Sequence, residues 1–600
     1  MRPSIVLSGV LGAALVLSGI GYYEATHKAP AVADVTAPSP MNPVIAINLA
    51  GGVYKNGDES TEEDVPGEVA VELKADLSAA AVAEVKKEYG LQSNSAWSDA
   101  HDKIEVALAQ TDEEEAALLG RLSNDPRVDS AEPMEVMRAS FVPNDPLYEK
   151  QWHLQRVGAE SAWEYACGEG VTVAIVDTGV ACFDKGPFSR GSDLTGTRCS
   201  GGYNFVSDTP EAYDDQGHGT HVAGTVAQTT NNGKGTAGLA YCARLMPIKV
   251  LNRQGWGTLA NVAEGIRYAA DNGAQVINLS LGGSGRSRIL EEAVDHALSK
   301  GVVVVAAAGN SGRSVGYPAA YPGVIAVSAS DSNDKIAWFS SRGPEVAIAA
   351  PGVNVTQQTI CDGGRNKCEI FGSFNGTSMA SPHVAGAAAM LVGLGIGGPD
   401  AVRAALAAGA VPKDDPKLYG AGILSASASA LHVFWTHFAF RAALLLLLGI
   451  GIARRIKRRG GEPASASSVA LGALLGGLGL LPVLPLAHLA ARFGDHRWIA
   501  ELLMRPFGEW DVIFDAGLHR WLPLANALPA LALTAVFFGI KRLRPTLGGF
   551  ALGSAALLCQ MAILGDVATP FGSLMTRVWL VANMALCLWI ARFGLDRKRA

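Results

Sequence analysis

The 600-residue sequence predicts an α/β fold for its middle part, a parallel sheet with helices on both faces. A small α+β unit is expected before it and an all-α membrane region after it. Three observations lead to this reading. The run VTVAIVD, ending at Asp177, is continuous and apolar, as a strand buried on both faces of a parallel sheet must be. The run VVVVAAAGNSG, which passes through Gly309 and Asn310, has the same character. From about Phe434 onward the chain becomes long apolar segments broken by short basic loops, which accounts for a mean hydropathy of +0.20. The length implies more than one domain, and a net charge of −7 gives no support for nucleic-acid binding.

In chain order, Arg2 precedes an apolar stretch from Ile5 to Ile20, followed by small residues and proline. Residues 1–31 therefore read as an export signal, cut after Ala31 or Ala33, or else kept as an anchor. Residues 43–139 alternate in type. VPGEVAVELK reads as a strand, LSAAAVAEVKKEYG as a helix ended by Gly90, and DKIEVALAQ as a second strand. EEEAALLGRLSND reads as a second helix and VDSAEPMEVMRA as a closing strand.

Three segments in residues 141–430 carry the chemistry. VAIVDTGV places Asp177 at the carboxyl end of a buried strand, where open α/β sheets build their sites. DDQGHGTHVAG places His218 in the first turn of a helix, with small residues that let it begin close to the site; His221 is read as structural. FNGTSMASPHVAG places Ser378 at the amino-terminal end of an Ala-rich helix, where backbone N–H groups favour developing negative charge. Pro382 is expected in the first turn of that helix. A serine nucleophile needs a base and a carboxylate that orients the base, and these segments supply Asp, His and Ser in that order.

At these residues the chain resembles the subtilase family of serine endopeptidases, whose triad follows this order. The resemblance implies a subtilisin-like sheet over residues 141–430, with Ser378 as nucleophile, His218 as base and Asp177 as its orienting carboxylate. It further implies an oxyanion hole formed by the Asn310 side chain and the Ser378 backbone N–H. NLSLGG, with Ser280, Leu281 and Gly282, resembles the segment that pairs with extended substrate, and GWGTL, with Gly255, Trp256 and Gly257, the opposite edge. Protein or peptide substrates are implied, with no cofactor for catalysis. TNNGKGTAGLA resembles a calcium loop with Asn232 as side-chain ligand and Asp145 and Asp193 as carboxylate partners, and Asp184, in an insertion, as rival. The α+β unit resembles an inhibitory propeptide, released by a cut near residues 138–142, so that the precursor's own propeptide is a partner.

Cysteine usage agrees with export. Cys167, Cys182, Cys199, Cys242, Cys361 and Cys368 lie in the peptidase part and permit 15 pairings. Cys182 with Cys199 would close the insertion after Asp177, Cys361 with Cys368 would close CDGGRNKC, and Cys167 with Cys242 then remains. Cys559 and Cys587 fall in apolar segments and are expected to be free. Five spans are expected in the bilayer, at 434–453, 467–490, 521–540, 547–566 and 573–592, with Pro482 and Pro485 in the second. RRIKRR, KRLR and the terminal DRKR are expected in the cytoplasm, which leaves the peptidase on the exported side. A membrane sensor or transporter with a peptide-binding ectodomain is the alternative.

Overall fold

The computed structural model describes residues 45–47, 53–55, 64–94, 98, 104–135, 141–184, 186, 188–360, 370–481, 497–510, 525–564 and 573–598. The signal segment, the cut near residues 138–140, the Cys361–Cys368 loop and Pro482 with Pro485 lie outside the described residues. Two compact units emerge, residues 30–139 and the remainder.

In the first unit, β1 (Asp64–Leu73), β2 (Gln92–Ser93), β3 (Ile104–Leu108) and β4 (Val128–Glu135) form an antiparallel sheet in the order β2-β3-β1-β4. Helices α1 (Ala79–Tyr89) and α2 (Asp112–Ser123) connect its strands. The local signals are direct. Ser78 and Thr111 cap the two helix starts with their side-chain oxygens, and Gly90 ends α1 in the left-handed region. Val69, Val71, Val82, Val85, Ala107 and Leu122 close a small core.

The second unit begins with α3 (Trp152–Arg156) and α4 (Ala159–Trp163). Its sheet contains β5 (Thr172–Asp177), β6 (Arg198–Cys199), β7 (Tyr203–Asn204), β8 (Arg244–Lys249), β9 (Val276–Leu279), β10 (Val303–Ala307), β11 (Ile325–Ser330) and β12 (Val346–Pro351). All pairs are parallel, in the order β12-β11-β10-β9-β5-β8-β6, with β7 also on β8. Alternate side chains of β5 enter two cores. Val173 and Ile175 meet α5 (His218–Ala227) and α8 (Thr377–Gly393), while Ala174 and Val176 meet α6 (Leu259–Asp271) and α7 (Arg288–Ser299). A strand covered on both faces must be apolar at every position, which is the VTVAIVD pattern. The chain places β8 on one side of β5 and β9 on the other, so the strand order reverses at β5 and opens a crevice at its carboxyl end. A hairpin of β13 (Val355–Gln358) and β14 (Phe371–Phe374) precedes α8, and α9 (Pro399–Gly409) follows it.

Helix α10 (Ala426–Arg458) runs without a break from the peptidase part into the apolar region, so the boundary expected between residues 430 and 434 falls inside one helix. Beyond it lie α11 (Ala466–Ala473), α12 (Arg497–Met504), α13 (Leu528–Phe537), α14 (Arg544–Leu564) and α15 (Ser573–Gly594). Three helices among the described residues are long and apolar enough to cross a membrane: Ala426–Arg458, Lys541–Leu564 and Leu574–Gly594. The apolar window is 78% buried in the second, against 22% and 28% in the others, so α14 is central and its neighbours carry the exposed apolar flanks. The expected second and third spans each hold a shorter apolar helix, Ala466–Leu478 and Leu528–Phe537, with the rest of each range partly outside the described residues.

Candidate active site

Asp177 is the last residue of β5 and fully buried. Its Oδ1 accepts from Thr178 N at 2.7 Å and lies 2.8 Å from His218 Nδ1. His218 opens α5, and the helix starts this close to the strand because residue 219 is glycine. A Cβ there would stand 2.1 Å from the Gly179 carbonyl and 3.2 Å from Asp177 Cβ. Burial pulls the His218 pKa down, but the charge and hydrogen bond of Asp177, aided by Asp214, leave it above the ordinary histidine value.

Ser378 is the second residue of α8. Its hydroxyl donates to the Ser280 carbonyl at 3.1 Å, and among the described residues no hydrogen bond joins it to His218. Asn310 stands beside it after β10. Its Oδ1 accepts from both the backbone N–H and the hydroxyl of Thr377, at 2.9 Å each, which fixes the amide and turns Nδ2 away from those bonds. Residue 376 is glycine, and a Cβ there would come within 3.4 Å of that Nδ2.

Pro382 departs from expectation. It is the sixth residue of α8, beyond the first turn. A residue with an N–H there would bond to the Ser378 carbonyl four residues back, and proline cannot. Ser280 Oγ supplies the missing donor at 2.8 Å, and is itself held by Asn278 Nδ2 at 2.9 Å. The Ser280 side chain thus faces α8 rather than the open crevice, while Leu281 is half-buried and Gly282 exposed. Across the crevice the loop of Gly255, Trp256 and Gly257 is exposed and pinned by Asn252, whose Oδ1 accepts from Trp256 N at 3.1 Å. Trp256 is 76% exposed.

Several supporting residues were not singled out by sequence reasoning. Asp214 is buried and accepts from Thr178 Oγ1, Gly217 N, Thr220 N and Thr220 Oγ1, tying the loop before α5 to the end of β5. Lys249, 1% exposed at the end of β8, donates to Thr178 O, Leu251 O and Asp215. The doublet DDQG carried the available signal, since adjacent carboxylates before a helix start imply capping or a buried cation. Behind the site lie three buried histidines. His221 Nε2 donates to Val355 O at 3.0 Å and Gly372 O at 3.1 Å; His383 Nδ1 meets Met379 O, and its Nε2 meets His153 Nδ1 at 2.7 Å. Burial pushes His221 down to about 3, His383 to about 4 and His153 well below the usual value, so all three are neutral.

The calcium candidates do meet. Asp145 accepts from Asn231 N at 2.7 Å and Asn232 N at 3.0 Å, while Asn232 Nδ2 donates to Asp193 at 2.7 Å. Burial raises Asp145 and pushes Asp193 up to about 6, against hydrogen bonds from the Asn232 side chain and the Thr236 N–H that favour its charged form. Asp184 instead accepts from Arg190 N at 3.0 Å within the insertion. Disulfides join Cys167 to Cys242 and Cys182 to Cys199, and Cys559 and Cys587 are free. The one triad of metal-ligating side chains among the described residues, Cys167, Glu169 and Cys242, contains the first of these disulfides and so offers no thiolate.

The subtilase family model matches residues 168–422. The chain is 41% identical over 334 residues to a thermophilic serine proteinase of Bacillus sp. (strain AK1), covering 55% of this chain and 79% of that protein. It is 44% identical over 259 residues to thermitase of Thermoactinomyces vulgaris, covering 42% and 87% respectively. This chain belongs to the subtilase family. A third relative, subtilisin Savinase of Lederbergia lenta, is 42% identical over 281 residues, or 46% of this subtilase and 97% of the relative. The subtilase described here is a subtilisin-like serine endopeptidase. The parallel sheet with its crevice at β5 is the scaffold for that activity.

Proposed function

We propose that this subtilase is an exported, membrane-anchored endopeptidase that cleaves peptide bonds through an acyl-enzyme at Ser378. The observations that support the proposal are the bond from His218 to the buried Asp177 carboxylate and, at the start of α8, Ser378 next to Thr377, whose backbone and hydroxyl anchor the Asn310 amide. Asp177 holds the tautomer with the proton on Nδ1, which leaves Nε2 to take the Ser378 proton. The Ser378 oxygen then attacks the scissile carbonyl. Charge gathers on the carbonyl oxygen, where Asn310 Nδ2 and the Ser378 N–H at the start of α8 serve as donors. The imidazolium passes its proton to the leaving amine, and water releases the acyl group in the second half. In the resting state the Ser378 hydroxyl is parked on Ser280 O, so the attack begins with a change of its rotamer.

The substrate lies extended between residues 280–282 and 255–257, which emerge from the two strands flanking β5. Pairing through backbone groups gives affinity with little dependence on sequence. The α+β unit acts as a propeptide removed by the enzyme itself. Calcium fits Asp145, Asp193 and Asn232, because two buried carboxylates with no basic partner among the described residues are the donors a hard divalent cation satisfies. Its contribution is to neutralise and brace this loop. The apolar flanks of α10 and α15, with RRIKRR at the inner end of α10, support anchoring with the peptidase exported.

Hydrolysis of denatured casein by the purified full chain tests the proposal. Wild type should be active, and Ser378→Ala should lose activity by about 10⁶-fold and stay unprocessed when made without other proteases. Retained hydrolysis in the variant would refute the assigned nucleophile.

A further inference from the structure

The membrane region is not joined to the peptidase by a tether. Ser425 caps α10, accepting from Ala428 N at 3.2 Å, and the first two turns of the helix lie in the peptidase core. Ala426, Ser429, Ala430 and Val433 are buried, and Ala426 N donates to Val157 O at 2.8 Å. Backbones touch here: a Cβ on Gly409 would stand 2.4 Å from Ser429 N.

A second connection closes farther along. Arg505 donates to the carbonyl of Gly393, the last residue of the helix that begins beside Ser378. Two residues on, a Cβ on Gly395 would stand 3.3 Å from Glu509 Oε1. Glu509 accepts from Arg441 of α10, and Arg441 also donates to Gln560 of α14. The rings of Tyr165 and Phe434 lie 5.1 Å apart across the same junction. Arg441, Arg505, Glu509 and Gln560 are all at most 7% exposed. Arg441, Glu509 and Gln560 hold one another inside the apolar region, while the Arg505–Gly393 bond, the Tyr165–Phe434 ring contact and the unbroken helix α10 keep the two parts docked.

The docked face is identifiable. A Cβ on Gly393 would meet Gly168 Cα and Glu169 O at 3.5 Å each, residues just ahead of β5. Asp177 is at the opposite end of β5. The membrane region therefore sits on the edge of the sheet where β5 starts, and the crevice opens on the other edge. The 15 residue steps from Ser378 to Gly393 along α8 place Ser378 about 22 Å from the junction, at 1.5 Å per residue.

Resting on the reading above that α10 spans the bilayer and Ser378 is the nucleophile, we infer that the active site is held at a fixed height and faces away from the membrane. Its substrates are exported polypeptide segments that are free or carried on a stalk. Bonds flush with the bilayer are excluded. An anchored substrate needs at least about seven extended residues between membrane and scissile bond, at about 3.3 Å per residue.

The test uses the full chain in vesicles of phosphatidylethanolamine and phosphatidylglycerol. One cleavable segment is supplied in solution and on a single-span anchor with Gly/Ser spacers of 2 to 30 residues. The soluble segment and the long-spacer substrates should be cut, and spacers under about five residues should be cut at least about tenfold more slowly. Equal rates at all spacer lengths, with the soluble segment also cut, would overturn the inference alone. Failure to cut the soluble segment, or failure of the protein to float with the vesicles, would overturn it together with the reading on which it rests.

Discussion

At the scale of single residues, the site divides into groups that a motif names and groups that only the fold assembles. Asp177, His218, Ser378 and Asn310 were legible because each sits in a short segment whose neighbours are constrained, as Gly219 is by the Gly179 carbonyl. Lys249 was not, because its partners come from other loops, and Asp214 was signalled only by the DDQG doublet before the helix it caps, without its bond to Thr178. Asn310→Ala should fold normally and lose about 10²–10³-fold in kcat, the scale known for removing this donor in a subtilisin. A loss confined to KM would contradict the oxyanion role. The raised His218 pKa sets a second expectation. A base must be neutral, so kcat/KM should fall as pH drops through a value above 6.5. Replacing Asp177 with Asn should move that acid limb downward and reduce kcat by about 10⁴-fold. An unmoved limb would detach Asp177 from His218.

At the scale of elements, the α+β unit was readable because side-chain caps at Ser78 and Thr111 and the left-handed Gly90 mark its helices locally. Helix α8 was readable in type and misjudged in register. Its apolar, Ala-rich run conceals where the first turn begins, and Pro382 proves to lie inside it. The break in the ladder is repaired from outside by Ser280, a long-range contact invisible to periodicity. Ser280→Ala should therefore leave a buried carbonyl unpaired and lower stability by about 1–3 kcal/mol. The double variant Ser280→Ala with Pro382→Ala restores an N–H to bond Ser378 O, and should recover much of that loss. Thermal unfolding of the three variants checks this. Additive losses in the double variant would mean that Ser280 acts by another route.

At the scale of the whole molecule, hydropathy located the apolar helical region but not its internal order. Apolar run length does not show how a Gly-rich stretch packs. Gly476 and Gly477 bring a short helix against Gly553 of α14 so closely that a Cβ at any of the three would meet backbone within 3 Å. The peptidase core, in turn, contains three neutral histidines whose depressed pKa values make stability depend on pH. Below about 6.5 the unfolded chain binds protons that the folded one refuses, so each removes about 1.4 kcal/mol per pH unit until its own pKa is reached. Asp145, Asp193 and Asp214, whose pKa values are raised by burial, oppose this above the ordinary carboxylate range, in Asp193 up to about pH 6. Saturating calcium would remove that opposition at the first two. With calcium present, the fall in Tm from pH 7 to pH 5 should be smaller in His221→Gln than in wild type, and an unchanged fall would contradict the assignment. Covalent labelling tests most directly whether Ser378 is the nucleophile and His218 its activating base in a membrane-held peptidase. Full-length protein in vesicles is treated with a fluorophosphonate and the labelled peptide is identified by mass spectrometry. A single adduct on Ser378 is expected, formed more slowly as pH falls through the His218 pKa and lost in His218→Ala. An adduct on another serine, or labelling of Ser378 indifferent to His218, would contradict it.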